Sequence, residues 1–330
     1  MSHFVVVVVG EENLKQTLAP FQESPSDPKE SGFCVFVNKN DDKEAQEDYK
    51  TGKTAIVELN GINYSRYSSE IRKYEKYVNP KDIFGEKVLE LPEGSKEYEG
   101  SLSILYPTFE DYLSEYCGHE YDESQGAYGY WENPNAKWDW YEIGGGWTGF
   151  FKGKAAAKGS AGSPGLMTPS AKKGYYDRIR IKDIDFEGIE QEAIQDANKV
   201  YDKIESILKG RKYPSWTEIL EKHGEKIDAA REEYRNHEVV KDFDEAKFYI
   251  WGDFYDEYAA SREEYVEKRR VGAIVPFAFV KDGQWVEKGE MGWFGMTSNE
   301  KEQNDWNKEF YDMIKSLPED TLLTVVDCHI

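Results

Sequence analysis

The sequence predicts an α+β fold, with a mixed or antiparallel sheet formed by both termini and central strands and a helical insertion. Three observations predict it. β-Branched apolar runs stand at both ends, FVVVVV over residues 4–9 and TLLTVV over residues 321–326. Each reads as a strand buried on both faces, and two such strands at the extreme ends of a chain commonly lie side by side. From residue 187 to about 270 the apolar positions step by three or four, the helical period. Residues 1–186 and 271–330 are therefore expected to form one sheet domain, and residues 187–270 a helical insertion or subdomain.

The elements follow in order. After the first strand, residues 13–21 form a short helix stopped near Pro20, and FCVFV (33–37) is a second strand. TAIVEL (54–59) runs into Asn60-Gly61, a hairpin turn signal. Tyr67, Ile71, Tyr74 and Val78 recur at helical spacing up to Pro80, and Thr108 opens the helix FEDYLSEYC with acids in its first turn. WDWYEI (138–143) is a strand ended by Gly144-Gly145-Gly146. The Gly-, Ala-, Ser- and Pro-rich residues 153–174 read as a flexible loop. In the helical part, Ile189 to Leu208 is one amphipathic face. Ser215 and Glu218 make a capping box for a helix reaching Tyr234, and Tyr255 to Arg269 is a third. Asp282-Gly283 predicts a second hairpin, Thr297 with Glu300 another capping box, and Trp306, Phe310 and Ile314 an amphipathic helix.

Composition excludes several functions. The 330 residues carry a net charge of −22, which argues against non-specific nucleic-acid binding and against anionic membranes. Aromatics at 15% exclude a disordered chain. Three cysteines, Cys34, Cys117 and Cys328, are too few for a disulfide framework or a Cys-rich zinc site, as expected in a reducing cytoplasm. The apolar run at the amino terminus is too short for a signal peptide or a membrane span.

The candidate site is residues 131–151, WENPNAKWDWYEIGGGWTGFF, which hold four of the nine tryptophans. Two readings stand. In one, the tryptophans are core and the glycines a bend or bulge. In the other, Trp138, Trp140, Tyr141 and Trp147 wall a pocket for a planar, nucleotide-like ligand, and Gly144, Gly145 and Gly146 bring backbone amides close to it. The pattern is neither a phosphate-binding Lys-Ser/Thr loop nor a dinucleotide fingerprint. No acidic residue occurs between Glu142 and Asp177, whereas Lys152, Lys154, Lys158, Lys172 and Lys173 do, so Lys152 and Lys154 are candidates to meet a phosphate. Trp293, in the second Gly-aromatic turn GEMGWFG, is a candidate to face the first across the sheet. Asp139 and Glu142 are the weak acid–base candidates. No metal site is expected. Whichever way the terminal strands pair, His3 and His329 are expected to lie apart, and Asp327 with His329, on one face, to tie the terminus down. No cofactor is indicated.

MSHFVVVVVG with LAPF, the central NPNAKWDWYEIGGGW, the late PFAFVKDGQWVEKGEMGWFGM and the closing LPEDTLLTVVDCHI resemble a family of tailed-bacteriophage and prophage proteins that carries no activity to transfer. The resemblance covers both ends and the centre. The family pattern has Arg where this chain has Gly146, which removes a fixed cation from the expected pocket. The resemblance implies a phage gene product acting in the host bacterial cytoplasm. Three functions compete. One is an accessory protein that binds a host or defence component, either a protein or a nucleotide-like small molecule. Another is an enzyme acting on a nucleotide or other phosphorylated compound. The third is an acidic mimic of nucleic acid that inhibits a host DNA-binding protein.

Overall fold

The computed structural model describes residues 2–10, 13–78, 87–250, 254–258, 261–292 and 295–330, with Asp256 described by its backbone alone. The fold is α+β with mixed and antiparallel sheets. It divides into two compact units, Met1–Gln22 with Lys137–Ile330, and Glu23–Ala136. That division differs from the expected one: residues 187–270 group with the main sheet, and the insertion is Glu23–Ala136. The reason lies in the long helix Phe186–Leu208, whose Phe186 and Ile189 pack on the cluster that holds Val5, Val7 and Leu323. The helical part is thus an outgrowth of the sheet core.

In the first unit, His3–Val9 is central. It pairs antiparallel with Leu322–His329 and parallel with Ala278–Lys281, which forms a hairpin with Gln284–Glu287. The expected side-by-side placement of the terminal strands is observed. The other edge of Leu322–His329 is shared by two short strands. Trp140–Gly145 pairs with its carboxyl half and Arg178–Arg180 with its amino half. Strand alternation sends Val5, Val7 and Val9 to one face, with Trp306 and Phe310 of the helix Gln303–Ser316, and Phe4, Val6 and Val8 to the other, with Leu18, Phe21 and Trp138. Phe279 stacks on Trp306 at 5.7 Å between centroids. A separate cluster holds the helices together around Ile204, Tyr213, Phe243 and Tyr265.

Several elements differ from the sequence reading. Gly224 splits the expected helix through Tyr234 into Trp216–His223 and Ile227–Asn236. The helix after Thr297 starts only at Gln303: Thr297–Ser298 is a short strand paired with Glu290–Met291, and the Thr297 hydroxyl bonds the Glu300 carboxylate beyond it. Residues 153–174 hold two short strands, Gly159–Ser160 and Ser163–Pro164.

The second unit carries a sheet of Val35–Asn38, Ala127–Glu132 and Glu120–Asp122, and another of Lys53–Leu59, Ile62–Ser65 and Lys96–Ser101. The helical spacing at Tyr67–Val78 gives only the turn Ser69–Arg72 before the strand Glu75–Tyr77, and Val78 is exposed. Thr108 opens its helix as expected, with Asp111 closing a capping box, after which Tyr112–Tyr116 widens into a π turn. Asp122 is buried and takes bonds from Ser124, Trp131 Nε1 (2.8 Å) and Lys29 (2.9 Å). These donors, the Ser124 hydroxyl first, hold its carboxyl well below the usual range.

Candidate functional site

The strand Trp140–Gly145 distributes its aromatic residues over two faces. Trp138, just before it, is 4% exposed and donates through Nε1 to the Leu18 carbonyl at 3.1 Å, while Tyr141 packs edge-on against it at 5.0 Å. Both belong to the core under the first strand, and burial pushes the Tyr141 phenol up. Trp140 points the other way and is 49% exposed. Trp147 lies against the opposite core cluster. These four rings therefore do not wall one pocket, because successive side chains of a strand leave on opposite sides. Trp293 lies outside the described residues.

The glycine run is a turn closed by carboxylates. Gly144 (φ 81°) and Gly145 (φ 52°) are left-handed, and their carbonyls accept from Trp147 N–H (2.9 Å) and Thr148 N–H (3.2 Å). A Cβ on Gly145 would stand 2.4 Å from the Asp327 Cβ, so only glycine fits there. Gly146 has no positive φ, but a Cβ there would stand 3.2 Å from the Asp327 carboxylate, so a side chain fits only if that carboxylate gives by a few tenths of an ångström. The Gly146 amide donates to Asp327 Oδ2 at 2.7 Å. Asp177 is fully buried. It accepts from the amides of Gly149 (2.7 Å), Phe150 (3.1 Å) and Gly162 (2.7 Å) and from the Thr148 hydroxyl (3.0 Å). The loop Gly162–Gly165 lies backbone to backbone on the turn, Gly144 opposite Ser163 and Gly145 opposite Pro164. The glycine amides thus face the protein's own carboxylates and carbonyls.

Two Asp–His pairs stand at the end of the same sheet, and the sequence reading missed both. Antiparallel pairing sets the start of one strand against the end of the other, so His3 is directly opposite His329. The expectation that they lie apart is wrong for that reason. Their rings meet edge-on at 5.0 Å, and Trp140 is 6.5 Å from His3. His3 Nδ1 lies 3.0 Å from Asp327 Oδ1, and His329 Nδ1 lies 2.6 Å from Asp139 Oδ1. Asp327 and His329 share a face as expected but bond to different partners. Glu142 stands opposite Asp327 in register and has no ion pair among the described residues. Asp139, a candidate on sequence grounds, thus orients an imidazole, and the signal that locates the rest was the register of the terminal strands. His329 Nε2 is buried and without a partner among the described residues. Cys328 points to the opposite face, where burial pushes its thiol up.

Lys152 is 2.7 Å from the Glu192 carboxylate, whose hydrogen bond raises the lysine pKa, and Lys154 donates to the Lys182 carbonyl at 2.6 Å. Neither is free to meet a phosphate in this arrangement. Among the described residues no group of three or more His, Cys, Asp or Glu side chains is placed to hold a metal ion, and no helix is long and apolar enough to cross a membrane. Comparison with protein-family models, curated proteins and solved structures finds no match.

Proposed function

We propose that the chain is a bacteriophage protein that acts in the bacterial cytoplasm by binding a host or defence component, and that the surface around Trp140 docks a protein partner bearing basic side chains. The observation that carries this reading is the exposed Trp140 ring, framed by Asp139, Glu142 and the His3–His329 pair. An aromatic ring in a polar frame is the composition of an interface anchor. The carboxylates beside it and the net charge of −22 favour a basic partner and steer its approach. The same carboxylates repel a phosphorylated ligand at this place.

One observation supports the enzymatic alternative: a carboxylate holds His329 as it would hold a general base. Against it, the Nε2 atom that would exchange the proton is covered from solvent.

Replacing Trp140 by the photo-cross-linker p-benzoylphenylalanine in bacterial cells tests the binding reading, with Ile227, also exposed, as the control position. A discrete protein adduct is expected from position 140 and not from 227, and it should vanish when Asp139→Lys and Glu142→Lys reverse the local charge. Identical products from both positions, or none from 140, would sink it.

A further inference from the structure

A second feature lies wholly within Glu23–Ala136 and shares no residue with the Trp140 surface. Strand register sets Phe36 opposite Trp131 and Glu120 opposite Gly129, on the sheet face that also carries Asp122. A Cβ on Gly129 would stand 2.8 Å from the Phe36 ring, so only glycine leaves the floor between them clear. This face opens into a cavity of about 420 Å³, walled by Phe36, Trp131, Glu120, Asp122 and the turn at Pro28 and Lys29.

Three observations give this cavity a chemistry. The Lys29 side chain is 56% exposed, yet its Nζ reaches Asp122 Oδ2 at 2.9 Å, on a carboxylate that is 6% exposed. That oxygen is therefore covered by a side chain that comes in from the surface, and it opens to the cavity when Lys29 swings away. An ion pair held by so exposed a lysine contributes little to the fold, so the lysine leaves at small cost. The carboxylate stays in place without it, because Trp131 Nε1 bonds the same oxygen (2.8 Å) and the amides of Ser124 (2.9 Å) and Gln125 (3.3 Å) bond the other. Secondly, the Glu120 side chain is exposed and has neither ion pair nor hydrogen bond among the described residues, so two acids face the cavity against one lysine. Thirdly, the half-buried rings of Phe36 and Trp131 meet at 59° with centroids 5.6 Å apart and make an aromatic corner beside the acids.

Ring faces beside carboxylates attract a cation and repel an anion. An ammonium group repeats what Lys29 already supplies from within the chain, and gains nothing by displacing it. A guanidinium does gain. It is flat and stacks on an aromatic ring, and its fork of N–H donors reaches two carboxylates at once. The cavity falls in the size range of small-molecule sites, roughly 300–1,000 Å³, and has room for such a head group on its stem.

We propose that this cavity binds the guanidinium group of an arginine side chain, which displaces Lys29 from Asp122. The guanidinium donates to Asp122 Oδ2 and to Glu120, and lies against the Phe36–Trp131 corner. Lys29 is the plug that holds the site closed until arginine enters. The site stands whether or not the Trp140 surface docks a partner, since the two have no residue in common.

The Trp131 indole N–H, which shares its acceptor with Lys29, reports the exchange in nitrogen-15 magnetic resonance spectra of the full chain, its signal identified with Trp131→Phe. N-acetyl-arginine amide, N-acetyl-lysine amide and free L-arginine are titrated separately at constant ionic strength. The arginine amide should shift the signal saturably at millimolar concentration, and the lysine amide should bind at least about tenfold more weakly. Tighter binding of the amide than of L-arginine assigns the site to arginine within a protein chain, and the reverse order to the free amino acid. Lys29→Ala, at an exposed position, removes the internal competitor and should tighten arginine by at least about fivefold. Lys29→Arg should fill the site from within, moving the Trp131 signal toward its bound position and abolishing the titration. Glu120→Gln, also exposed, should weaken binding. A Trp131 signal that arginine does not shift saturably would overturn the proposal. So would equal binding of the lysine amide, or an arginine affinity that Lys29→Ala leaves unchanged or weakens.

Discussion

Asp177 shows how a single residue organises the candidate site. Its carboxylate gathers three amides and a hydroxyl, while its own backbone accepts from Val325 N–H (2.7 Å) and donates to Ser160 (2.9 Å). It therefore ties the glycine turn, the loop after it and the last strand at one point. Asp177→Ala leaves the Gly149, Phe150 and Gly162 amides buried without an acceptor, at about 1–3 kcal/mol each. Partial relaxation of the loop offsets some of this, so a loss of about 4 kcal/mol is expected in urea unfolding, enough to place the variant among the severe ones. A loss below about 1 kcal/mol, the size of an ordinary substitution, would show that the turn stands without it. Asp177 was visible in the sequence only as the end of an acid-free stretch. Its role depends on four donors from positions 148–162, and no local pattern states that a buried acceptor will be met. Trp138 and Trp140 make the same point in reverse. Their density marked the stretch correctly as the densest aromatic segment, but which ring is core and which is exposed is decided by strand pairing with His329 and by the Leu18 carbonyl.

Elements with local causes were legible and those with distant causes were not. The Asp282-Gly283 hairpin takes positive φ at both residues, 51° and 72°, as its type requires, and Ser215 caps its helix by accepting from Glu218 N–H at 3.3 Å. The strand Glu75–Tyr77 was hidden because its cause is a partner, Lys87–Leu89, and not its own period. In the second unit the strands around His119 supply a pH dependence. The His119 ring stacks on Tyr130 at 5.6 Å. Burial first, and then the Lys39 charge, lower its pKa below the ordinary value, against a smaller opposing pull from Asp42. The folded chain thus holds the ring neutral where the unfolded chain, with a pKa of about 6.5, begins to take a proton. The contribution of His119 to stability is complete above about pH 6.5 and falls away as the pH drops through the folded value. His119→Phe keeps a ring on Tyr130 and removes the titration. Its thermal midpoint should fall less than that of the wild type between pH 7.5 and pH 5.5. Parallel curves for the two proteins would mean that burial of this ring contributes nothing to acid sensitivity.

At the scale of the whole molecule the chain leaves its first unit after Gln22 and returns at Lys137. The two crossings are adjacent: the Phe21 carbonyl accepts from Lys137 N–H (2.8 Å) and Trp138 N–H (3.3 Å), and Gln22 bridges to Trp138. The core on that side of the sheet, from Phe4 and Leu18 to Trp138 and Val326, is drawn wholly from the first unit. The first and last strands pair over seven positions, from His3 with His329 to Val9 with Leu323. Sequence reading found that pairing because both strands announce themselves; it set residues 187–270 apart, and those helices do pack a cluster of their own, but the compact unit that separates from the sheet is Glu23–Ala136. Glu23–Ala136 is the segment whose removal the sheet should survive. A chain in which a short Gly/Ser linker joins Gln22 to Lys137 spans only the gap between neighbouring strands, about 5 Å. It is expected to unfold cooperatively, with a midpoint within about 4 °C of the main-unit transition of the full chain, a shift equivalent to about 1 kcal/mol in a domain of this size. It should also keep the near-ultraviolet dichroism of Trp138 and Trp306, whose indoles bond to Leu18 and Pro276 within this unit. A chain that loses that signal, or unfolds without a transition, would show that the sheet depends on its insertion, and the two compact units would then be a single folding unit.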